Sequence, residues 1–135
     1  MSDFNQGIID EFRANGGQVE AFAGAPLLLL HTTGARSGTE RVNPMMYQDL
    51  DRGGPLAVFA SKAGAPTNPD WYYNLVAHPA VTAEFGSGTR SFTARIADDD
   101  ERDGIWARQK QDYPGFAEYE AKTERVIPVV ILDPA

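Results

Sequence analysis

The chain has 135 residues, no cysteine, two histidines and a formal charge of -7, a size suited to one domain that buries roughly two-thirds of its unfolded surface. The composition excludes disulfides, thiolate zinc sites and cysteine nucleophiles, and His31 and His78 are too few to build a histidine metal site. Net acidity argues against nucleic-acid and anionic-membrane surfaces, and without a run of roughly 20 apolar residues or a secretory signal the expected location is the cytoplasm, with no stable membrane insertion.

Residues 3 to 15 carry Phe4, Ile8, Ile9 and Phe12 at helical spacing, so they read as an amphipathic helix ending at Gly16-Gly17, suited first to covering the core and otherwise to lying on a membrane face. Short runs at 27 to 33, 41 to 49 and 55 to 61 then read as strands, the last two joined through the Asp51-Arg52-Gly53-Gly54 turn. Asn68 is positioned to cap a helix with Pro69 in its first turn, Trp71 and Leu75 on one face and His78-Pro79 as the stop. Strands at 80 to 86 and 89 to 97 meet at Gly86-Ser87-Gly88, a tight-hairpin sequence. Val81, Ala83 and Phe85 alternate with polar neighbours, as do Phe92, Ala94 and Ile96, which predicts one buried face. The acids from Asp98 to Glu101 suit a helix N-terminus, that helix breaks at Tyr113-Pro114-Gly115, and a final strand is predicted over 127 to 132. Six short strands, several joined by hairpins, predict a mainly β fold with helices, built as a small closed or split antiparallel barrel.

The chemistry gathers in two glycine-punctuated stretches. Thr32 to Arg41 runs from a strand end into a turn flanked by Arg36 and Arg41, and Ser61-Lys62-Ala63-Gly64-Ala65-Pro66 repeats that character with a lysine. Turn amides and guanidinium forks hold phosphate or carboxylate oxygens. From Gly34 to Lys62 four bases face three acids, a local +1 in a chain of net -7, so an anion belongs here. Helix amides at Asn68-Pro69 offer a third polar contact. Between these stretches, Pro44 within a strand implies an edge or a bulge, and consecutive Met45 and Met46 project to opposite faces, one of them available to a flat ring.

The order G-A-R-S-G-x-x-R-V-N-P, A-S-K-A-G-A-P-x-N-P-x-W-Y-x-N-L, H-P, Y-P-G-F-x-x-Y and I-P-V-V, spread over about Leu27 to Pro134, resembles the deazaflavin-dependent nitroreductase family within the FMN-binding split-barrel group. The resemblance implies one six-stranded antiparallel split β-barrel (α+β) over 1 to 135, with 1 to 24 as an N-terminal helical segment, binding coenzyme F420. It implies that Arg36, Ser37, Gly38 and Arg41 hold the anionic tail with Lys62 near the phosphate. Asn43, Pro44, Met45, Met46, Ser61, Ala63, Gly64 and Ala65 then line the ring, and Asn68, Pro69, Trp71 and Asn74 support its polar edge. Trp71 also suits a core anchor, and Asn74 suits a loop-holding amide.

On the acceptor side the resemblance points to Met46, Tyr113, Phe116 and Tyr119, with Ser61, Tyr113 and Tyr119 as groups that bind the acceptor or neutralise its developing charge. Ala35 leaves one base where the nitroreductases often have two, and Phe116 and Met46 stand where tyrosine occurs in that family. The implied activity is hydride transfer from the reduced deazaflavin to a small acceptor: a quinone, an activated alkene or a nitro compound. FMN is the alternative cofactor, since it too carries a phosphate, and a carrier without turnover is the non-enzymatic alternative. Oligomeric state is open at this level.

Overall fold

The period-two alternation of the strands closes on itself. In a computed structural model, which describes residues 3–22, 25–51 and 54–135 without the side chains of Asp3, Phe4, Ala21 and Ala63, the strands are β1 (Leu27–Thr33), β2 (Glu40–Asp49), β3 (Leu56–Phe59), β4 (Ala80–Phe85), β5 (Gly88–Ile96) and β6 (Val129–Pro134). They form a closed barrel in the order β1-β2-β3-β6-β5-β4, antiparallel throughout, with β4 returning to β1. Helices α1 (Asp3–Ala14), α2 (Asp70–Ala77), α3 (Asp99–Asp112) and α4 (Gly115–Ala121) lie around it.

Alternate residues divide between two environments. Leu28 and Leu30, Leu56 and Val58, Val81 and Ala83, Phe92 and Ala94, and Val130 and Leu132 fill the interior. Leu27 and Leu29 point outward to Ile8, Ile9 and Phe12 of α1, while Ala57, Phe59 and Val129 meet Trp106 of α3 and Phe116 of α4. A slip of one residue would exchange the two sets and place the helix-facing residues inside, so the register is strongly specified.

Strand limits differ from the sequence reading where backbone bonding is diverted. β3 stops at Phe59 because the Ala60 N–H donates to the Pro128 carbonyl and Ser61 already opens a 3-10 turn over Lys62–Gly64. β6 starts at Val129, after Pro128, which has no N–H to donate, and runs to Pro134. Ile96, expected on the buried face, is 43% exposed at the last position of β5. Arg52, Gly53 and the Phe4 side chain lie outside the described residues.

Helix ends follow their local chemistry with one exception. Gly16 and Gly17 take φ of 62° and 93°, and the Gly17 N–H reaches the Phe12 carbonyl at 2.8 Å, closing α1. Asp98 and Glu101 form a capping box at α3. Asn68 does not cap α2: Pro69 holds that position, and the Asn68 side chain instead accepts from Arg125 at 2.7 Å.

Pro44 sits in β2 without loss of a ladder bond. The Tyr47 N–H donates toward β1, to the Pro26 carbonyl, so by alternation the nitrogen of Pro44 faces the other edge of β2. That edge meets β3 only from Tyr47 to Asp49, and Glu40 to Met46 pair with β1 alone. The barrel is closed, with only three residue pairs joining β2 to β3 here.

One electrostatic group fixes α1 to the barrel. Arg13 reaches Glu84 of β4 at 2.7 Å, and the same carboxylate oxygen lies 2.6 Å from His31 Nε2. The hydrogen bond from Arg13, assisted by His31 and opposed by burial, holds the Glu84 carboxyl below its ordinary range. A depressed native pKa stabilises the fold above the unfolded value and stops doing so as pH falls through the native one. Glu84→Gln is therefore expected to cost up to about 1 kcal/mol near neutrality, the exposed arm of Arg13 limiting the gain, and to cost little in acid. Denaturant unfolding of both proteins at neutral pH and well below the carboxylate range measures this, and a difference independent of pH would exclude it.

Candidate functional site

The turn between β1 and β2 is built from its own side chains and from α2. The Gly34 N–H donates to the Thr39 carbonyl at 2.8 Å, Gly38 adopts φ of 70°, and Ser37 Oγ accepts from the Thr39 N–H at 3.1 Å. Asn74 of α2 ties the turn down: its Oδ1 accepts from the Ala35 N–H at 3.0 Å and its Nδ2 donates to Thr32 Oγ1 at 3.3 Å. The amide thus makes a loop-holding contact.

This turn forms one wall of a polar cleft of about 910 Å³, completed by Arg41 and Asn43 of β2, by Tyr73 and Asn74 of α2, and by the first turns of α1. Arg36 and Arg41 are exposed here, and neither has a carboxylate within 4.0 Å among the described residues. Glu40 and Asp70 line the same cleft, and Glu40 lies 3.3 Å from His31 Nδ1. The cleft mixes charges, but its guanidinium groups have no ionic partner among the described residues.

An apolar groove of about 350 Å³ adjoins it, and Asn5 lines both. Pro44, Met45 and Met46 from the stretch of β2 that pairs with β1 alone form one side, Phe116 and Tyr119 of α4 another, with Ser61 and Trp71 also lining it. Met45 packs on the barrel interior and Met46 on both outer clusters, so the two methionines do diverge. Trp71 belongs to the interior cluster, as a core anchor would, and it also lines the groove.

The helix carrying Phe116 and Tyr119 is anchored on α3. Trp106 Nε1 donates to Glu120 at 2.7 Å and Lys110 Nζ at 3.0 Å. Lys110 first, then Trp106, hold the Glu120 carboxyl below its ordinary range against the opposing effect of burial. The rings of Phe116 and Tyr119 meet edge to face at 5.3 Å, and Phe116 meets Phe59 in the same way at 5.5 Å.

The expected site residues therefore separate into three groups. Arg36, Ser37, Arg41, Asn43 and Asn74 line the polar cleft. Pro44, Met45, Met46, Ser61, Trp71, Phe116 and Tyr119 line the groove. Gly38, Lys62, Gly64, Ala65, Asn68, Pro69 and Tyr113 line neither. Lys62 is exposed and donates to Thr67 Oγ1 at 3.2 Å, Tyr113 packs on the outer cluster below α3 and α4, and the Ala63 side chain lies outside the described residues. The sequence reading missed the wall contributed by α1 through Asn5 and Ile8, whose spacing signals burial but not a ligand, and it missed Arg125, which has no local signal.

Comparison with known proteins adds an independent finding. The model of the F420H(2)-dependent quinone reductase family matches residues 8–134. A relative in Mycobacterium tuberculosis (strain ATCC 25618 / H37Rv), Rv3178, is 39% identical over 109 residues, spanning 81% of this chain and 90% of its own length. A second from the same organism, named F420H(2)-dependent quinone reductase Rv1261c, is 33% identical over 126 residues, spanning 90% of this chain and 83% of its own. A solved structure described as an F420-H2 dependent reductase, FDR-A, is 40% identical with a TM-score of 0.72, covering 80% of this chain and 94% of that one.

Proposed function

The chain belongs to the F420H(2)-dependent quinone reductase family and is an oxidoreductase that uses coenzyme F420; from that premise we propose that its polar cleft takes the coenzyme's anionic tail, that the groove takes the deazaflavin ring, and that quinones are its favoured acceptors. The observation that carries this reading is that the two spaces share a wall at Asn5: a cleft with two guanidinium groups that have no ionic partner among the described residues adjoins a groove walled by methionine, proline and aromatic side chains. The residues fit the group, with Arg36, Arg41 and Ser37 suited to tail oxygens, and Met45, Met46 and Trp71 suited to the ring.

When bound in reduced form, F420 supplies two electrons as hydride from C5. The chain's part is to orient and to exclude water. Phe116, Met46 and Trp71 supply apolar area to flat rings, so binding gains from burial while competing water is displaced. Charge developing on the acceptor oxygen needs a donor, and the Ser61 and Tyr119 hydroxyls are the side-chain donors in the groove that suit this role. Tyr113, which ends α3, serves by packing against the outer cluster. No described helix is long and apolar enough to cross a membrane.

Fluorescence titration with F420 and with FMN, followed by oxidation of reduced F420 by menadione, tests the reading. Preferential F420 binding with menadione-dependent oxidation supports it, whereas tighter FMN binding or no oxidation overturns it.

Activated alkenes and nitro compounds belong to the same acceptor class, but the wall at Phe116 and Met46 adds no hydroxyl to those of Ser61 and Tyr119, whereas a quinone can take its protons from water after hydride arrives. Quinones are thus expected to be reduced more efficiently than bicyclic nitroimidazoles. Phe116→Tyr should raise kcat/KM for the nitroimidazole relative to menadione by about fivefold, the worth of one net hydrogen bond. A wild type that prefers the nitroimidazole and does not respond to the substitution would remove Phe116 from the acceptor site.

A further inference from the structure

Arg125 follows α4 at a sequence distance of 57 to 65 residues from the groups it binds. Its Nε donates to the Ala65 carbonyl at 2.9 Å, Nη1 to the Ala60 carbonyl at 3.1 Å and to Asn68 Oδ1 at 2.7 Å, and Nη2 to the Ser61 carbonyl at 2.9 Å. All four acceptors lie in the stretch 60 to 68, and none is charged. Among the described residues no carboxylate lies within 4.0 Å of this partly buried guanidinium. Arginine is suited to such a clamp because its donors form a rigid planar fork that fixes several acceptors at once.

The clamp dictates which way the peptide groups face. In a trans peptide the N–H points opposite to the C=O. With the Ala60 and Ser61 carbonyls turned toward Arg125, the N–H groups of Ser61 and Lys62 are turned away from it. Neither has a hydrogen-bond partner among the described residues. Ser61 lines the apolar groove, whereas Arg125 does not. Lys62 is held at φ of 46°, the one positive φ among the described non-glycine residues, so the turn that presents these amides is also strained.

We infer that Arg125 is a positioning residue that orients the Ala60–Ser61 peptide and fixes the strained turn after it, so that the Ser61 N–H is presented to an electronegative edge of the ring bound in the groove. A ring carbonyl or ring nitrogen is the matching acceptor. The guanidinium acts through the loop, and its charge adds to the field that favours electron density at that edge. This inference rests on the groove being the ring site.

The test compares Arg125→Lys and Arg125→Met with wild type. Oxidised F420 is titrated by fluorescence, the absorption spectrum of bound F420 is recorded, menadione turnover is measured, and circular dichroism and thermal unfolding report the fold. Lysine keeps the charge but not the fork. It is expected to weaken F420 binding about tenfold, the worth of one or two net hydrogen bonds, to shift the absorption of bound F420, and to lower kcat while leaving KM for menadione unchanged. If the methionine variant does not fold, the lysine variant alone decides. Folded variants that melt earlier yet bind F420 with wild-type affinity and spectrum would give Arg125 a purely structural role and overturn the inference. A wild type that binds no F420 would overturn the groove reading and the inference with it, a result told apart by needing no variant.

Discussion

Replacing both Arg36 and Arg41 with alanine is expected to weaken F420 binding by about a hundredfold, equivalent to roughly 2.7 kcal/mol. Both guanidinium groups line the polar cleft without an ionic partner among the described residues, so neither must leave a protein carboxylate to meet the tail. The presence of Glu40 and Asp70 in the same cleft makes the two bases more important, because without them the remaining field repels an anion. Lys62→Ala should have a smaller effect, since its ammonium lies outside both spaces and contacts Thr67. Wild-type affinity should fall as salt is raised, and that dependence should flatten in the double variant. Fluorescence titration of the wild type and the variants at low and high salt decides the matter. Equal affinity and equal salt dependence would mean that the tail lies elsewhere.

Gly64→Ala is expected to lower stability by roughly 3 kcal/mol, combining a left-handed backbone with overpacking. Gly64 has φ of 83°, and a Cβ there would lie 2.7 Å from the Tyr119 carbonyl oxygen and 2.9 Å from the Lys122 Cβ. The loop bearing Ser61 and the helix bearing Tyr119 are therefore in backbone contact, and the substitution forces them apart. Gly38→Ala is the matched control: its φ is 70° with nothing within 4 Å of the added carbon, so only the backbone cost of about 1 to 2 kcal/mol remains. Denaturant unfolding of both variants isolates the contact. Equal losses would show that the loop and α4 yield without cost.

What was legible in the sequence was what short-range chemistry dictates. Alternation in β4 and β5 located Val81, Ala83, Phe92 and Ala94 in the interior, because a strand's side-chain period is fixed regardless of its partners. The paired glycines at 86 and 88 marked the hairpin, but for one of them the reason differs. Gly88 has φ of 143°, whereas Gly86 has no positive φ and is required because a side chain there would collide with the Gly16 carbonyl beyond the end of α1. Such contacts depend on closure between β1 and β4, which no local pattern reports. Asn68 was misassigned for the same reason: its cap position looked correct until Arg125, 57 residues away, claimed the oxygen. The motifs placed Arg36, Arg41, Met45 and Met46 beside the cleft and groove, while the contribution of α1 to their walls became visible only in three dimensions.

Pro44 has a consequence for the protein in concentrated solution. A groove at a gap in a barrel leaves a strand margin without a partner, and such margins attract strands from other molecules and seed aggregation. The nitrogen of Pro44 faces that margin, in the middle of the stretch from Glu40 to Met46 that pairs only with β1. An incoming strand would find no donor there and would meet the pyrrolidine ring, so continuous pairing along the margin is blocked. The residue that narrows the groove also keeps neighbouring molecules from zipping onto it, and the barrel can stay open to a small ligand without becoming a template for polymerisation.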